Sequence, residues 1–338
     1  MLLIYNRDEA ERYCFVIKFN TKKSMIISQI IWWIWNQMFQ YAFGKYTAQR
    51  LWIELFLDIN WLGRPTFGWY QKRNFALNNL NIPNLKYIYT PFHNSESIRR
   101  NIFDYWWFFF GDKITYPHIY DIIKQNWFEY KDIYVPKTHK SEYNTNINPK
   151  KYYLKGFWQS EKFWKPICDE IKSEFALWYQ MPQIASSLIS KIQNTNSIAI
   201  NIRRTDFVQI SKIANIHDVC STQYYQNSID YIYSDLWGDC EFFVFSDDIL
   251  RVKKNLKFPN KATFVDPKIY KWFEYELYMY ILWQCKHYII PNSSFAWRSV
   301  YLWRNRDKKV IIPDKRFNNN FDTNDLIPEH RNTIIMKT

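Results

Sequence analysis

The chain has 338 residues, of which 47% are apolar and 23% charged, enough for one large or two medium domains with a full core. Its formal charge of +13 suits an anionic partner such as nucleic acid, an anionic membrane leaflet or a phosphorylated small molecule. The lysines are scattered, so drift in composition explains the same charge equally well.

The five cysteines, Cys14, Cys168, Cys220, Cys240 and Cys285, make no CxxC pair, which argues against a disulfide framework or a zinc site and fits a reducing compartment. Met25 to Trp35 is the longest apolar stretch near the start, and Ser28 and Gln29 break it. A membrane span needs about 20 apolar residues, and no small-residue cleavage site follows. The expectation is a cytoplasmic protein, soluble or peripheral at the inner face of an anionic membrane. Glycine occurs only 6 times, against roughly 7% in ordinary proteins, while tryptophan reaches 17. Heavy use of Ile, Asn, Lys, Tyr and Phe reads as an A/T-rich coding sequence.

Residues 1–24 read as an N-terminal extension around the short run "YCFVIKF". "MIISQII" then predicts a buried parallel strand, being short, apolar and β-branched. "NQMFQYAFGKYTAQRLW" predicts a helix with Met38, Phe39, Ala42, Phe43 and Tyr46 on one face. Residues 60–150 are aromatic and irregular; "YWWFFFGD" (105–112) reads as core, because contiguous exposed apolar surface is disfavoured. The polar run "HKSEYNTNINPKK" with Pro149 marks a boundary between an N-terminal domain, 25–150, and a C-terminal one, 151–338.

The second half alternates strand and helix. "SIAINI", "CEFFVF", "ATFVD", "KHYIIP" and "KKVIIP" predict strands. "STQYYQNSIDYIYSDL", capped by Ser221 or Thr222, "WFEYELYMYILWQC" and "NSSFAWRSVYLW" predict helices. Such an order implies a parallel sheet with right-handed crossovers, whose ligands bind at the carboxyl ends of the strands.

Three polar clusters fall at those ends. Arg203, Arg204, Thr205 and Asp206 follow the first strand, Ser246, Asp247 and Asp248 the second, and Asn292, Ser293 and Ser294 the fourth. Paired arginines offer planar forks for phosphate oxygens. A helix opening on "NSS" presents free backbone N–H groups to an anion. The aspartates can accept hydrogen bonds from a base or ribose. Each cluster alone is an ordinary strand end, turn or cap; in register they point to a nucleotide-diphosphate site.

The segments "NQMFQYAFGKY", "LKGFWQSEKFW", "IAINIRRTDFV", "FFVFSDDILRVKKNL", "CKHYIIPNSSFAW" and "VIIPDKRF" resemble, in order, those of the bacterial α-1,2-fucosyltransferases and the wider group sharing an HxRRxD-type motif. The resemblance runs from Met25 to about Arg331. It implies a GT-B-like α/β fold with two Rossmann-like domains facing a cleft. It also implies GDP-fucose as donor, a galactoside of a surface glycan such as O-antigen as acceptor, inversion at the fucose carbon, and no metal. It assigns catalytic roles to Arg203 and Asp206. It gives donor contacts to Asn201, Arg204, Ser246, Asp247, Asn292, Ser293, Ser294 and Phe295. Asn36 and Gln37 fall to the acceptor or turn region. "SDD" is not the DxD metal motif.

The chain departs from the pattern where it matters. Trp32, Trp33 and Trp35 stand where the family has glycines, in a turn where positive φ or close approach to a ligand favours glycine. Asn201 replaces a histidine and cannot carry a proton near neutral pH. Arg298, Arg316 and Arg331 fall near aromatic positions. Three readings follow: an active enzyme with a remodelled pocket, a chain with impaired turnover, or a nucleotide- or glycan-binding member without catalysis. Nucleic-acid binding explains neither the ordered motifs nor the lack of a basic stripe.

Overall fold

The computed structural model describes residues 3–6, 15–16, 24–59, 61–62, 73–89, 121–125, 133–134, 151–160, 163–203, 220–269, 275–302, 307–315 and 332–338. The chain divides into two units, Met1–Phe175 and Ala176–Thr338.

The first unit is an eight-stranded sheet. Its strands are β1 (Leu3–Asn6), β2 (Phe15–Val16), β3 (Met25–Gln29), β4 (Glu54–Asp58), β5 (Lys86–Tyr89), β6 (Asp121–Gln125), β7 (Ile133–Tyr134) and β8 (Lys151–Lys155), ordered β2-β1-β5-β4-β3-β8-β6-β7. The five middle strands, β5 to β6, run parallel, and antiparallel pairs close the edges. Two expectations are corrected here. β1 and β2 extend this sheet, so the stretch before Met25, in its described residues, is part of it. The boundary falls after Phe175 and not at 150, because β8 pairs with β3 and β6.

The helix α1 (Ile34–Leu51) follows β3. Its apolar stripe was expected to be the buried side, yet Ile34 to Gly44 are buried all round. The amides make this possible, because inward glutamines find partners. Gln40 Oε1 accepts from Ile31 N at 2.9 Å, Gln40 Nε2 donates to Gly156 O at 3.1 Å, and Ser28 Oγ donates to Gln40 O at 3.0 Å. One side chain therefore joins the carboxyl ends of β3 and β8. Close approach is set by Gly44, where a Cβ would lie 3.0 Å from Leu55 Cδ1 and from Ser28 Cβ. The far end of α1 is tied to α2 (Cys168–Glu174). Tyr41 Oη donates to Glu174 Oε2 at 2.9 Å, and Lys45 pairs with Glu174 and Glu170. Burial, reinforced by the Glu174 charge, pushes the Tyr41 hydroxyl far above the usual tyrosine range.

The second unit is a six-stranded sheet, parallel throughout. β9 (Ser197–Ile202), β10 (Glu241–Ser246), β11 (Ala262–Val265), β12 (His287–Ile289), β13 (Val310–Pro313) and β14 (Thr333–Met336) lie in the order β11-β10-β9-β12-β13-β14. Its helices are α3 (Gln183–Asn194), α4 (Thr222–Asp235), α5 (Ile249–Asn255), α6 (Glu276–Trp283) and α7 (Ser294–Leu302). The expected strands and helices of this half are present, and Ser221 Oγ caps α4 by accepting from Tyr224 N at 3.1 Å.

One face of β9, namely Ile198, Ile200 and Ile202, packs with Phe242, Val244, Tyr224 and Ile229 in the core. Each such buried side chain stabilises the unit by roughly 1.5–3 kcal/mol. Tyr224 Oη donates to Ile290 O at 2.7 Å, fixing the chain just past β12. The aromatic run 105–112 lies outside the described residues. Among the described residues no helix is long and apolar enough to cross a membrane.

Candidate active site

Numbered from β9, the second sheet reads 3-2-1-4-5-6 across its width. β9 and β12 are therefore the neighbours at which strand order reverses. In such sheets the crevice outside the carboxyl ends at this reversal receives the ligand.

The sequence brings polar residues to that point from three adjacent strands. β9 ends in Asn201 and Ile202 and is followed by Arg203; β10 ends in Ser246 and is followed by Asp247; β12 leads through Pro291 to Asn292, Ser293 and α7. Asn201 lies opposite Phe245, with Ser246 opposite Ile202, so the ends of β9 and β10 are level. The structure thus gathers Asn201, Arg203, Ser246, Asp247, Asn292, Ser293, Ser294 and Phe295 at one edge of one sheet. Arg204 and Asp206 lie outside the described residues.

The side chains at this edge differ in what they are bound to. Asn201 is buried; its Nδ2 donates to Phe245 O at 3.4 Å, while its Oδ1 has no hydrogen-bond partner. Ser293 is also buried, and its Oγ has no partner either. Buried polar atoms without partners are rare and costly, and each calls for an explanation; a bound ligand is one. Both lie at the strand reversal, beside the amino end of α7, where a helix presents N–H groups outside its own hydrogen-bond ladder. Arg203 is half-buried.

Other members of the set are engaged structurally. Ser246 Oγ accepts from Asp248 N at 3.0 Å, and Asp248 Oδ1 caps α5 by accepting from Arg251 N at 3.1 Å. "SDD" is in this respect a turn and cap, with Asp247 between the two engaged residues. Phe295 stacks on Tyr278, with centroids 6.0 Å apart, which fixes α7 against α6. Trp297 Nε1 donates to Pro291 O at 2.9 Å and holds the loop into α7. Arg298, one turn further on, is completely buried.

Sequence reasoning passed over Glu276. This carboxylate is 1% exposed at the first turn of α6, close enough to the Tyr179 hydroxyl for its charge to act on it. Burial, then the Glu276 charge, raises the Tyr179 hydroxyl out of the ordinary range. The only signal in the sequence was a pair of acids, Glu274 and Glu276, opening an apolar helix. His287 is the one histidine among the described residues, at the amino end of β12. Its Nδ1 accepts from Lys309 N at 3.0 Å, so Nε2 carries the proton and donates to Asn196 Oδ1 at 3.1 Å. Burial, with Lys309 and Lys286 nearby, lowers its pKa to about 4. It is a neutral structural group, and it stands at the opposite end of the sheet from the site.

In the first unit the order reverses between β3 and β8. Asn36 and Gln37 sit there, at the start of α1. Asn36 Oδ1 accepts from Gln159 Nε2 at 2.8 Å. Gln37 Nε2 donates to Trp32 O and Asn74 O, both at 2.9 Å, and Gln37 Oε1 accepts from Ala76 N at 3.0 Å. Gln37 is fully used in shaping the turn. Among the described residues no group of three or more His, Cys, Asp or Glu side chains is placed to hold a metal ion.

Comparison with known proteins adds to this geometry. The sequence profile of glycosyl transferase family 11 matches residues 112–329. An alpha-1,2-colitosyltransferase from Escherichia coli is 28% identical over 295 residues, covering 86% of this chain and 91% of the relative. The O-antigen biosynthesis glycosyltransferase WbnK, also from Escherichia coli, is 27% identical over 300 residues, covering 84% and 92%. Among solved structures, the alpha-1,6-fucosyltransferase NodZ soaked with GDP-fucose superposes with a TM-score of 0.50 at 15% identity, over 88% of this chain and 97% of the other. That likeness speaks for the fold.

Proposed function

The chain belongs to glycosyl transferase family 11, and from that premise we propose that it transfers L-fucose from GDP-fucose to the 2-hydroxyl of a galactoside in a surface glycan. The observation that carries this reading is the strand reversal of the second sheet, where Arg203 and two unpartnered buried oxygens, Asn201 Oδ1 and Ser293 Oγ, adjoin the start of α7.

GDP departs with growing negative charge on its β-phosphate. The Arg203 guanidinium and the backbone N–H groups of Ser294 and Phe295 meet that charge; such fixed donors lower a barrier because they need no reorganisation. Ser293 Oγ and Asn292 line the same phosphate side, and Asp247 takes the ribose or base. Asp206 and Arg204 complete the donor loop. The acceptor hydroxyl attacks the opposite face of the fucose carbon, forming the new C–O bond as the bond to the phosphate oxygen breaks, and gives up its proton to a base, for which Asp206 is the candidate. The reaction inverts the anomeric centre and uses no metal. The acceptor side belongs to the first unit, at the turn that Asn36 and Gln37 shape, and the basic chain works against an anionic membrane face where lipid-linked glycans are made.

The colitosyltransferase relative favours a second reading of the donor sugar, since colitose is fucose without its 3-hydroxyl. A member that binds nucleotide or glycan without turnover is the third reading, favoured by Trp32, Trp33, Trp35 and Asn201.

A thermal-shift panel with GDP, GDP-fucose, GDP-colitose, GDP-mannose, UDP-sugars and ATP, with and without EDTA, separates these. The expected result is stabilisation by GDP and GDP-fucose alone, unchanged by EDTA. Preference for GDP-colitose changes the sugar, and no shift with any nucleotide removes the donor site. Arg203→Ala is expected to lower GDP-fucose turnover at least a hundredfold while the fold, read by circular dichroism, is unchanged. Retained turnover overturns the phosphate role.

A further inference from the structure

We propose that the indoles of Trp32 and Trp33 close the carboxyl-end crevice of the first sheet and restrict the acceptor that this crevice admits. The inference rests on the transferase reading above for the identity of the acceptor, a galactoside, and on the geometry for the closure.

The strand reversal between β3 and β8 makes this edge the ligand-receiving one in the first sheet. The chain leaves β3 through Ile30 and Ile31 and turns at Trp32 and Trp33 into α1. Trp32 has φ 70°, a left-handed conformation that a bulky side chain adopts only under constraint and that glycine adopts freely. Trp33 is the residue before α1, at φ −69°, where glycine is well accepted. The backbone of this turn is therefore one that glycine would form without strain at both positions.

The indoles fill the edge. Trp32 stacks on Trp61, which follows β4, with centroids 5.4 Å apart and planes at 28°. Trp33 stacks on Trp35 at 5.1 Å and 14°, and the Arg73 guanidinium lies 3.4 Å from its ring centre on a cation–π contact. Gln37 then fastens the Trp32 carbonyl to the chain at Asn74 and Ala76. The ends of β3 and β4 and the segment at residues 73–76 are thus bridged by aromatic rings over a site where a parallel sheet takes a ligand.

The experiment compares the unmodified chain with Trp32→Gly/Trp33→Gly and with Trp52→Gly. Trp52 carries the same left-handed backbone, φ 56°, at the opposite end of α1, so it controls for simple relief of strain. Three quantities are read: GDP-fucose affinity, affinity for a β-galactoside by titration calorimetry, and transfer kinetics. The double variant is expected to bind the galactoside at least tenfold more tightly and to raise acceptor kcat/KM by a similar factor, with GDP-fucose affinity unchanged. Trp52→Gly is expected to leave all three unchanged. Equal galactoside affinity in the double variant and the unmodified chain overturns the closure. Tighter galactoside binding without GDP-fucose binding in any chain upholds the closure and overturns the donor reading instead.

Discussion

At the scale of single residues, the tryptophans decide most. Four described tryptophans, Trp32, Trp52, Trp158 and Trp237, hold φ between 54° and 70°. A left-handed residue with a Cβ costs roughly 1–2 kcal/mol, because the Cβ crowds the following carbonyl. What differs is the return. Trp158 is buried and stacks on Phe43 at 4.1 Å, whereas Trp52 and Trp237 are 94% and 96% exposed. Trp52→Gly and Trp237→Gly are therefore expected to raise stability by about 1 kcal/mol each. Trp158→Gly should lower it by about 3 kcal/mol or more, through the cavity it leaves. Urea midpoints at constant m-value measure all three. Position at the strand ends was legible: Arg203, Asn292 and Ser293 stand just past β9 and β12. The role of the Ser246 hydroxyl was not, since nothing in "SDD" says that it turns back to accept from Asp248 N. Glu276 was missed because one acid in an apolar helix resembles a first-turn dipole partner.

At the scale of elements, α1 shows how pattern and packing part company. A helix with one apolar stripe should show a solvent face, but this one is enclosed from Ile34 to Gly44, and Gln37 and Gln40 point inward. Periodicity reads polarity, and an inward amide with two good partners looks the same as a solvated one. At Gly44 the absence of a side chain lets the helix sit against Leu55 and Ser28. Gly44→Val places carbon atoms within 3.0 Å of Leu55 and Ser28, and α1 must move away from β3 and β4. Overpacking of this kind costs about 1–3 kcal/mol. A lower melting temperature together with weaker protection of α1 amides from hydrogen exchange is the expected outcome; an unchanged melting temperature would show that the helix shifts freely. β9 to β13 were legible because each is a short β-branched or aromatic run beside a turn. α2 and α3 were not, since the first is seven residues long and the second mixes serine with isoleucine.

At the scale of the whole molecule, the charge of +13 returns as a question of steering. An excess of positive charge raises the local concentration of an anionic donor, and salt screens that attraction over about 10 Å at 0.1 M. GDP-fucose affinity is expected to fall roughly fivefold between 0.05 and 0.5 M salt, whereas affinity for a neutral galactoside stays level. Equal slopes for the two ligands would assign the lysines to composition alone. Division of the chain into two units was legible from the switch between irregular and alternating patterns. Its position was not, because the Asn-rich run with Pro149 is a stronger local break than Phe175–Ala176, and only the pairing of β8 with β3 shows which sheet the strand joins.

The two most exposed of the described indoles have an optical consequence. Trp52 lies in the first unit and Trp237 in the second, each in near-complete contact with water, while Trp158 and Trp164 are wholly enclosed in the first. Their emission should be red-shifted and open to a soluble quencher such as iodide. A chain keeping only one of them as an accessible fluorophore would report on one unit at a time, giving each half of the protein its own optical thermometer.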